Sequence, residues 1–320
     1  MMISTILPIG LSIIAVATIT LGVASFVQRV RIKRLAKLEE LLRQRYMRII
    51  TAVMLSKESL PLRFPMIKYR GAREVLARVL SAVASSVYGP DSAILGRIAS
   101  DNGVDEWLLH RIGRSRGMVR AYYMSQLAAL PLASAVVVRV REYADDKNRF
   151  VRFYALLVRI ANDTSSALRH LSEFGEPLSD FEIAEIMALL RRGMLPVACE
   201  PLLMSGSRNL QLVGIYIARE FGVEEAKPLL VEIATTQTDE DVARAAIYAL
   251  VALHSSFNTR NLMASVRSMS ADDRQRLCRR LVLEGYSAAA LERLFGAREG
   301  VYAERLVSTY KRRIVCIPQL

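Results

Sequence analysis

The chain has 320 residues, of which 52% are hydrophobic, and 44 Lys and Arg against 31 Asp and Glu give a formal net charge of +13. This apolar content excludes a disordered chain, and three cysteines are too few for a disulfide framework. Aromatic residues make up only 7%, which disfavours an all-β chain. We therefore expect a helical protein from a reducing compartment.

The first element along the chain is a charge-free segment. The 25 residues from Ile3 to Val27 include no Asp, Glu, Lys or Arg, and such a helix would measure about 37 Å, longer than the ~30 Å hydrocarbon core of a bilayer. No basic residue precedes the segment, unlike in a cleaved signal peptide. Directly after it comes a basic cluster, which by the positive-inside rule stays cytoplasmic: Arg29, Arg31, Lys33, Arg34 and Lys37. The sequence therefore predicts a single-pass anchor over 1–28 in the inner (cytoplasmic) membrane, with its N-terminus outside.

Residues 29–70 are predicted to form a basic amphipathic helix followed by a linker. Between Arg29 and Arg78 there are 14 basic and 4 acidic residues, so +10 of the net charge of +13 lies there. At roughly 1 kcal/mol per basic group near an anionic leaflet, this segment could hold anionic lipid head groups. The alternative is that these charges only fix the topology. Pro61 and Pro65 are expected to end the helix.

Beyond residue 70 the chain repeats a helical pattern. Apolar helix-length segments recur every 29 to 32 residues, with a second helical segment in each interval, and their leading positions are Val119, Val151, Phe181, Leu210, Val242 and Arg274. A period near thirty residues with two helices per unit is typical of an α-solenoid. In the most regular segment, the spacing predicts a buried stripe formed by Val242, Ala245, Ala246 and Leu250.

That segment also carries a family resemblance. Residues 224–253 read EEAKPLLVEIATTQTDEDVARAAIYALVAL and resemble the short bacterial form of the HEAT repeat. The resemblance implies an all-α fold in which a HEAT-like α-solenoid covers 71–313, ahead of a short tail over 314–320. It also implies a structural ladder of Arg and Asp side chains that ties successive repeats together, formed here by Arg120, Arg152, Asp241 and Arg244.

Chemical motifs are missing from the sequence. It contains no phosphate-binding glycine loop, no nucleophile elbow and no Cys/His spacing suited to a metal, so we predict no catalytic residue, cofactor or metal. Cys199 and Cys278 are interpreted as small core residues, and the carboxylates of Glu182 and Glu185 as a solvated pair. The three histidines are interpreted as residues of helix faces: His110, His170 and His254.

These features favour a non-enzymatic adaptor. The leading hypothesis is a membrane-tethered HEAT-like scaffold that binds a protein partner, itself associated with the membrane, at the cytoplasmic face. Nucleic-acid binding is the first alternative, but the repeat region is nearly neutral in charge and lacks interleaved aromatic residues. The second alternative is a HEAT-like enzyme, such as a lyase or a glycosylase, but no group of residues in the sequence supports it.

Overall fold

The structure is a computed structural model. It describes residues 3–56, 64, 71–87, 91–163, 166–192, 199–255, 260–283 and 285–315, without the side chains of 3–19, 24, 56, 297–299 and 310–315. The described residues form helices and no strand, which confirms the all-α prediction. Their contacts divide the chain into two units, Met1–Val158 and Arg159–Leu320, and the boundary falls within one helix.

Unit 1 is assembled around the second helix of the chain, α2, which contacts α1, α3, α4 and α5. Its apolar face is buried through Val75, Leu76, Val79 and Leu80. The helices of this unit are α1 Ile3–Ser56, α2 Ala72–Ala84, α3 Ser92–Asp101, α4 Val104–Arg114, α5 Gly117–Ala128, α6 Ser134–Val140 and α7 Arg149–Asn162, the last of which continues into unit 2.

Helix α1 is continuous for 54 residues and joins the charge-free segment to the basic one. Leu42, Tyr46, Ile50 and Val53 form its buried stripe, at the three- and four-residue spacing of one helix face. The predicted anchor over 1–28 lies for the most part outside the described side chains. Among the residues that are described, no helix combines the length and apolar character needed to cross a membrane.

Unit 2 is built from two rows of helices. Its helices are α8 Ala167–Glu173, α9 Asp180–Arg191, α10 Glu200–Leu203, α11 Arg208–Phe221, α12 Lys227–Thr236, α13 Glu240–Ala252, α14 Arg260–Ser268, α15 Ala271–Leu283, α16 Ala288–Phe295 and α17 Ala297–Val315. In one row α11 contacts α9 and α13, α13 contacts α15, and α15 contacts α17; in the other row α12 contacts α14 and α14 contacts α16. Each predicted helical segment therefore contains a helix.

Small residues allow the helices of unit 2 to pack closely. A Cβ atom added to Gly214 of α11 would lie 2.8 Å from the Cβ of Leu202 and 3.0 Å from the backbone nitrogen of Leu203. Ala246 lies 32 residues further along, in α13, and is fully buried. Val242 and Leu250 are buried as predicted, whereas Ala245 is only half-buried and faces a groove described below.

Candidate interaction groove

The predicted ladder residues Asp241 and Arg244 belong to a chain of ion pairs across α11, α13 and α15. Arg208, at the start of α11, donates to the carboxylate of Asp241 at 2.8 Å. Arg244 bonds the same carboxylate at 2.5 Å and reaches Asp273 of α15 at 3.5 Å. Each arginine therefore connects its own helix to a carboxylate on the next helix of the row.

Asp239 anchors this ladder at the start of α13. Its carboxylate accepts hydrogen bonds from the backbone N–H groups of Asp241 and Val242, as an N-cap does, and it pairs with Arg208 at 2.8 Å. Partial burial alone would raise the pKa of the Asp239 carboxyl, but the Val242 N–H and the Arg208 guanidinium outweigh it and lower the pKa below its usual value. The charged form of Asp239 therefore stabilises the folded state.

The ladder has a strict sequence period that the search for apolar patterns missed. Asn209, Asp241 and Asp273 are spaced by 32 residues, and so are Tyr216, Tyr248 and Arg280. Asn209 is buried and ties α11 to the loop before α9: its Oδ1 accepts from the Leu178 N–H at 3.0 Å and its Nδ2 donates to the carbonyls of Phe174 and Glu176. A search for polar residues at the same period would have found it.

Arg120 and Arg152 belong to unit 1 and meet at a residue that the sequence did not single out. Arg120 of α5 pairs with the carboxylate of Asp146 and donates to the carbonyls of Ile112 and Ser115. Arg152 of α7 donates to the backbone carbonyl of the same Asp146. Asp146 thus joins α5 and α7. The sequence signal for this role was a carboxylate in the turn before a repeat helix.

The unit 2 ladder forms one wall of an open groove of about 480 Å³, which we call the ladder groove. Leu212 contributes apolar surface, and Tyr216 and Tyr248 contribute two half-buried phenols. Burial, and then the nearby carboxylate of Asp180, raise the pKa of Tyr216; burial and Asp273 do the same for Tyr248. Both phenols therefore remain neutral hydrogen-bonding groups at physiological pH.

Arg276 of the ladder groove has no ion pair among the residues that the structure describes. Arg276 occupies on α15 the position that Arg244 has on α13, 32 residues earlier. The corresponding position on α17, where a carboxylate would complete the next rung, is Arg305. In the described part of the chain, exposed Arg276 forms no ion pair, although its charge acts on the phenol of Tyr248. The groove can therefore offer a guanidinium to an incoming carboxylate.

The predicted basic cluster lies on α1. Arg29, Arg31, Lys33, Arg34 and Lys37 are all exposed, and none pairs with a carboxylate of the described residues. Beside them, large apolar side chains are also exposed: Leu21, Val23, Phe26 and Val27. This part of α1 thus combines exposed apolar surface with unneutralised positive charge.

Some individual residues differ from the sequence-based interpretation. Glu182 is fully buried, not solvated, because its carboxylate closes a capping box with Ser179 at the start of α9. The motif Ser-x-x-Glu at 179–182 was the signal for this role. His170 is also buried, 2.8 Å from Arg159, whereas His110 and His254 are exposed.

The remaining interpretations concern cysteines and metals. Cys199 and Cys278 are buried thiols, as predicted, and burial raises the pKa of the Cys199 thiol. Among the described residues, no group of three or more His, Cys, Asp and Glu side chains is arranged to hold a metal ion. The ladder groove is thus a surface of guanidinium, carboxylate and phenol groups, which suits reversible binding of a polar segment.

Comparison with protein-family models finds no match to this chain, and comparison with curated proteins finds none either.

Proposed function

We propose that the protein is a non-enzymatic, membrane-tethered scaffold of HEAT-like helix pairs that holds a protein partner at the cytoplasmic face of the inner membrane. The observation that carries the proposal is the ladder groove. Three successive helices of one row present polar side chains at the same 32-residue period, and such stacked helices form extended binding surfaces in α-solenoids.

The proposed tether is supported by the sequence of α1 and by its described surface. The segment from Ile3 to Val27 is free of charge, and its described large apolar side chains, such as Phe26 at 69% exposure, are not covered by the protein. Large apolar side chains that are exposed along one segment mark a surface that contacts a membrane or another protein. The exposed basic cluster that follows would remain on the cytoplasmic side.

The binding role is supported by the chemistry of the groove. Arg276 has no ion pair among the described residues, and Tyr248 beside it supplies a flat, partly buried ring. Arginine and tyrosine are enriched among the residues that dominate protein interfaces. A partner segment with a carboxylate next to an apolar or planar group would match this pair.

The proposal is tested in two steps, the first of which concerns the tether. The full chain should stay with the membrane fraction after carbonate extraction, and protease added outside spheroplasts should leave it intact. A variant with Gln in place of all five residues of the basic cluster should lose the fixed orientation. Release of the unmodified chain by carbonate would contradict the tether.

The second step concerns the partner. Affinity purification of the full chain from membranes in mild detergent should recover the same protein in independent preparations, and R276E should lose it. The matched control is R260E, which reverses an exposed arginine on α14 away from the groove. Equal recovery with both variants, or no reproducible partner, would contradict binding in the ladder groove.

A further inference from the structure

A second surface, in unit 1, combines exposed apolar side chains with arginines that form no ion pair with any described residue. We call it the α4–α5 patch and define it by the residues around the junction of these helices: Arg111, Arg114, Arg116, Met118, Val119 and Tyr122. We propose that the α4–α5 patch binds an acidic peptide segment of a protein partner, one that carries large apolar side chains between its carboxylates.

The charge of this region is one-sided. From Trp107 to Arg141 the sequence contains six arginines and no Asp or Glu. Arg114 and Arg116 flank the turn between α4 and α5, are exposed, and form no ion pair with any described residue. Guanidinium groups that have no ion pair among the described residues provide complementarity for carboxylates, which they bind through paired hydrogen bonds.

The apolar part of the patch lies directly after these arginines. Met118 is 63% exposed and Val119 is 56% exposed, both in the first turn of α5, and Tyr122 follows one turn later at 44%. These three side chains are exposed although the opposite side of α5 buries Met124 and Leu127 in the unit 1 core. Exposed apolar side chains surrounded by charge are typical of a protein contact surface.

The patch stands on a rigid aromatic support. Arg111 lies over the rings of Trp107 and Tyr123, with its Cζ 5.5 Å and 5.1 Å from their centroids, and it donates to the Tyr123 hydroxyl at 2.9 Å. The two rings meet edge to face at 5.8 Å. Such contacts fix the guanidinium of Arg111, so a partner would meet a preorganised cation.

The same contacts favour a peptide over a nucleic acid. A face of Trp107 is covered by Arg111 and its ring is packed against Tyr123, so little of it is available to stack on a base. Met118 and Val119, the most exposed apolar side chains of the patch, are aliphatic, whereas single strands are bound by stacking on aromatic rings. Aliphatic side chains next to arginines fit a segment with both carboxylates and apolar residues.

The position of the patch also disfavours a lipid surface. Glu39 of α1 pairs with Arg78 of α2 at 3.0 Å, and Tyr122 lies close to that same arginine. Glu39 lies 12 residues beyond Val27, which is about 18 Å along a helix.

The direction of the helices places the apolar part of the patch still farther from Val27. Arg78 of α2 lies close to Tyr122 of α5, and one turn later Ser81 donates to the carbonyl of Gln126 at 3.0 Å, so α2 and α5 run in the same direction. Helix α1 runs in the opposite direction, because Glu39 pairs with Arg78 whereas Tyr46, two turns later in α1, packs on Phe64, which precedes α2. Met118 therefore lies beyond Tyr122, in the direction away from Val27. A bilayer around Val27 would not reach Met118.

The test uses the full chain in detergent and fluorescein-labelled peptides made of Asp-Glu-Leu-Leu repeats. The unmodified chain should bind this probe, more weakly as salt rises, and should prefer it to probes of Asp-Glu-Ser-Ser or Lys-Lys-Leu-Leu repeats. R114Q/R116Q and M118S/V119S should each weaken binding by about fivefold or more. The matched control, R260Q/R293Q, removes the same charge from exposed sites of unit 2 and should bind as the unmodified chain does.

A charge reversal separates the proposal from simple loss of fold. R114E/R116E should gain binding of the Lys-Lys-Leu-Leu probe, which an unfolded patch would not do. The proposal is overturned if the unmodified chain does not discriminate between the three probes, or if the control weakens binding as much as R114Q/R116Q. It is also overturned if oligothymidylate binds more tightly than the acidic probe and loses binding in R114Q/R116Q, since the patch would then be a nucleic-acid surface.

Discussion

Arg244 on α13 lies 3.5 Å from the carboxylate of Asp273 on α15, and the sequence position that would repeat this pair one helix later places Arg276 opposite Arg305. The ladder therefore ends at Arg276. Arg305 leaves this rung incomplete, and Arg276 therefore forms no ion pair with any described residue and is the cation that the ladder groove offers to a partner. Arg244 thus has the structural role, and Arg276, 32 residues later, has the proposed binding role.

This separation predicts opposite results for the same substitution. R244Q should lower the free energy of unfolding by about 1 kcal/mol, because it leaves the largely buried carboxylate of Asp273 without its cation. R276Q should change it by less than about 0.5 kcal/mol while weakening partner binding. Urea unfolding of both variants checks this, and equal destabilisation would show that Arg276 is a structural residue.

The buried position of Ala246 gives a second prediction. A246E would place an unpaired carboxylate in a fully buried site and should cost about 3 kcal/mol or more. A264E makes the same change at an exposed position of α14 and should be nearly neutral. Hydrogen exchange should show lost protection in α13 and in its neighbours α11 and α15; unchanged protection would remove Ala246 from the core.

Gly214 provides a packing test with a matched control. G214A would force a methyl group against the backbone of Leu203 and should destabilise the protein by about 1 to 3 kcal/mol. In G113A the new methyl would meet only the Tyr143 hydroxyl, at 3.6 Å, so the higher helix propensity of Ala should stabilise α4 by about 0.5 kcal/mol. Thermal melts can measure both, and the close packing of α11 is refuted if G214A is stabilising.

The lowered pKa of Asp239 predicts a pH dependence of stability. Because the folded pKa lies below the unfolded value of about 3.9, the stabilisation is complete above that value and is lost as pH falls through the folded pKa. D239N keeps an N-cap acceptor but removes the charge. It should cost about 1 kcal/mol at neutral pH, and the difference should shrink below about pH 4; a difference that is constant with pH would contradict this role.

The helices were predictable from the sequence because apolar periodicity determines which faces are buried. The pattern at 241–253 is an example, since Val242, Ala246 and Leu250 are buried. Polar partners were harder to predict. Arg120 was selected from a local Val-Arg pair, but its partner Asp146 lies 26 residues away, and only the three-dimensional structure brings the two together.

The candidate sites show the same limit. Asp241 and Arg244 were predicted from the family resemblance. Asn209 is recognised only from the 32-residue period of polar side chains, and Arg276 only from the position where the ladder ends. The α4–α5 patch was missed because charge was counted over the whole repeat region, where acidic residues elsewhere balance the run from Trp107 to Arg141. Local charge and exposure, not the total, define such a surface.

The most direct test of the proposed scaffold places a photoreactive amino acid at position 248, inside the ladder groove, in the full chain in its native membrane. Irradiation should give one discrete adduct with a partner protein, and R276E should abolish it. The same residue at position 264, exposed on α14 outside the groove, should give no such adduct. Identical adducts from both positions, or none from position 248, would contradict a partner bound in the groove.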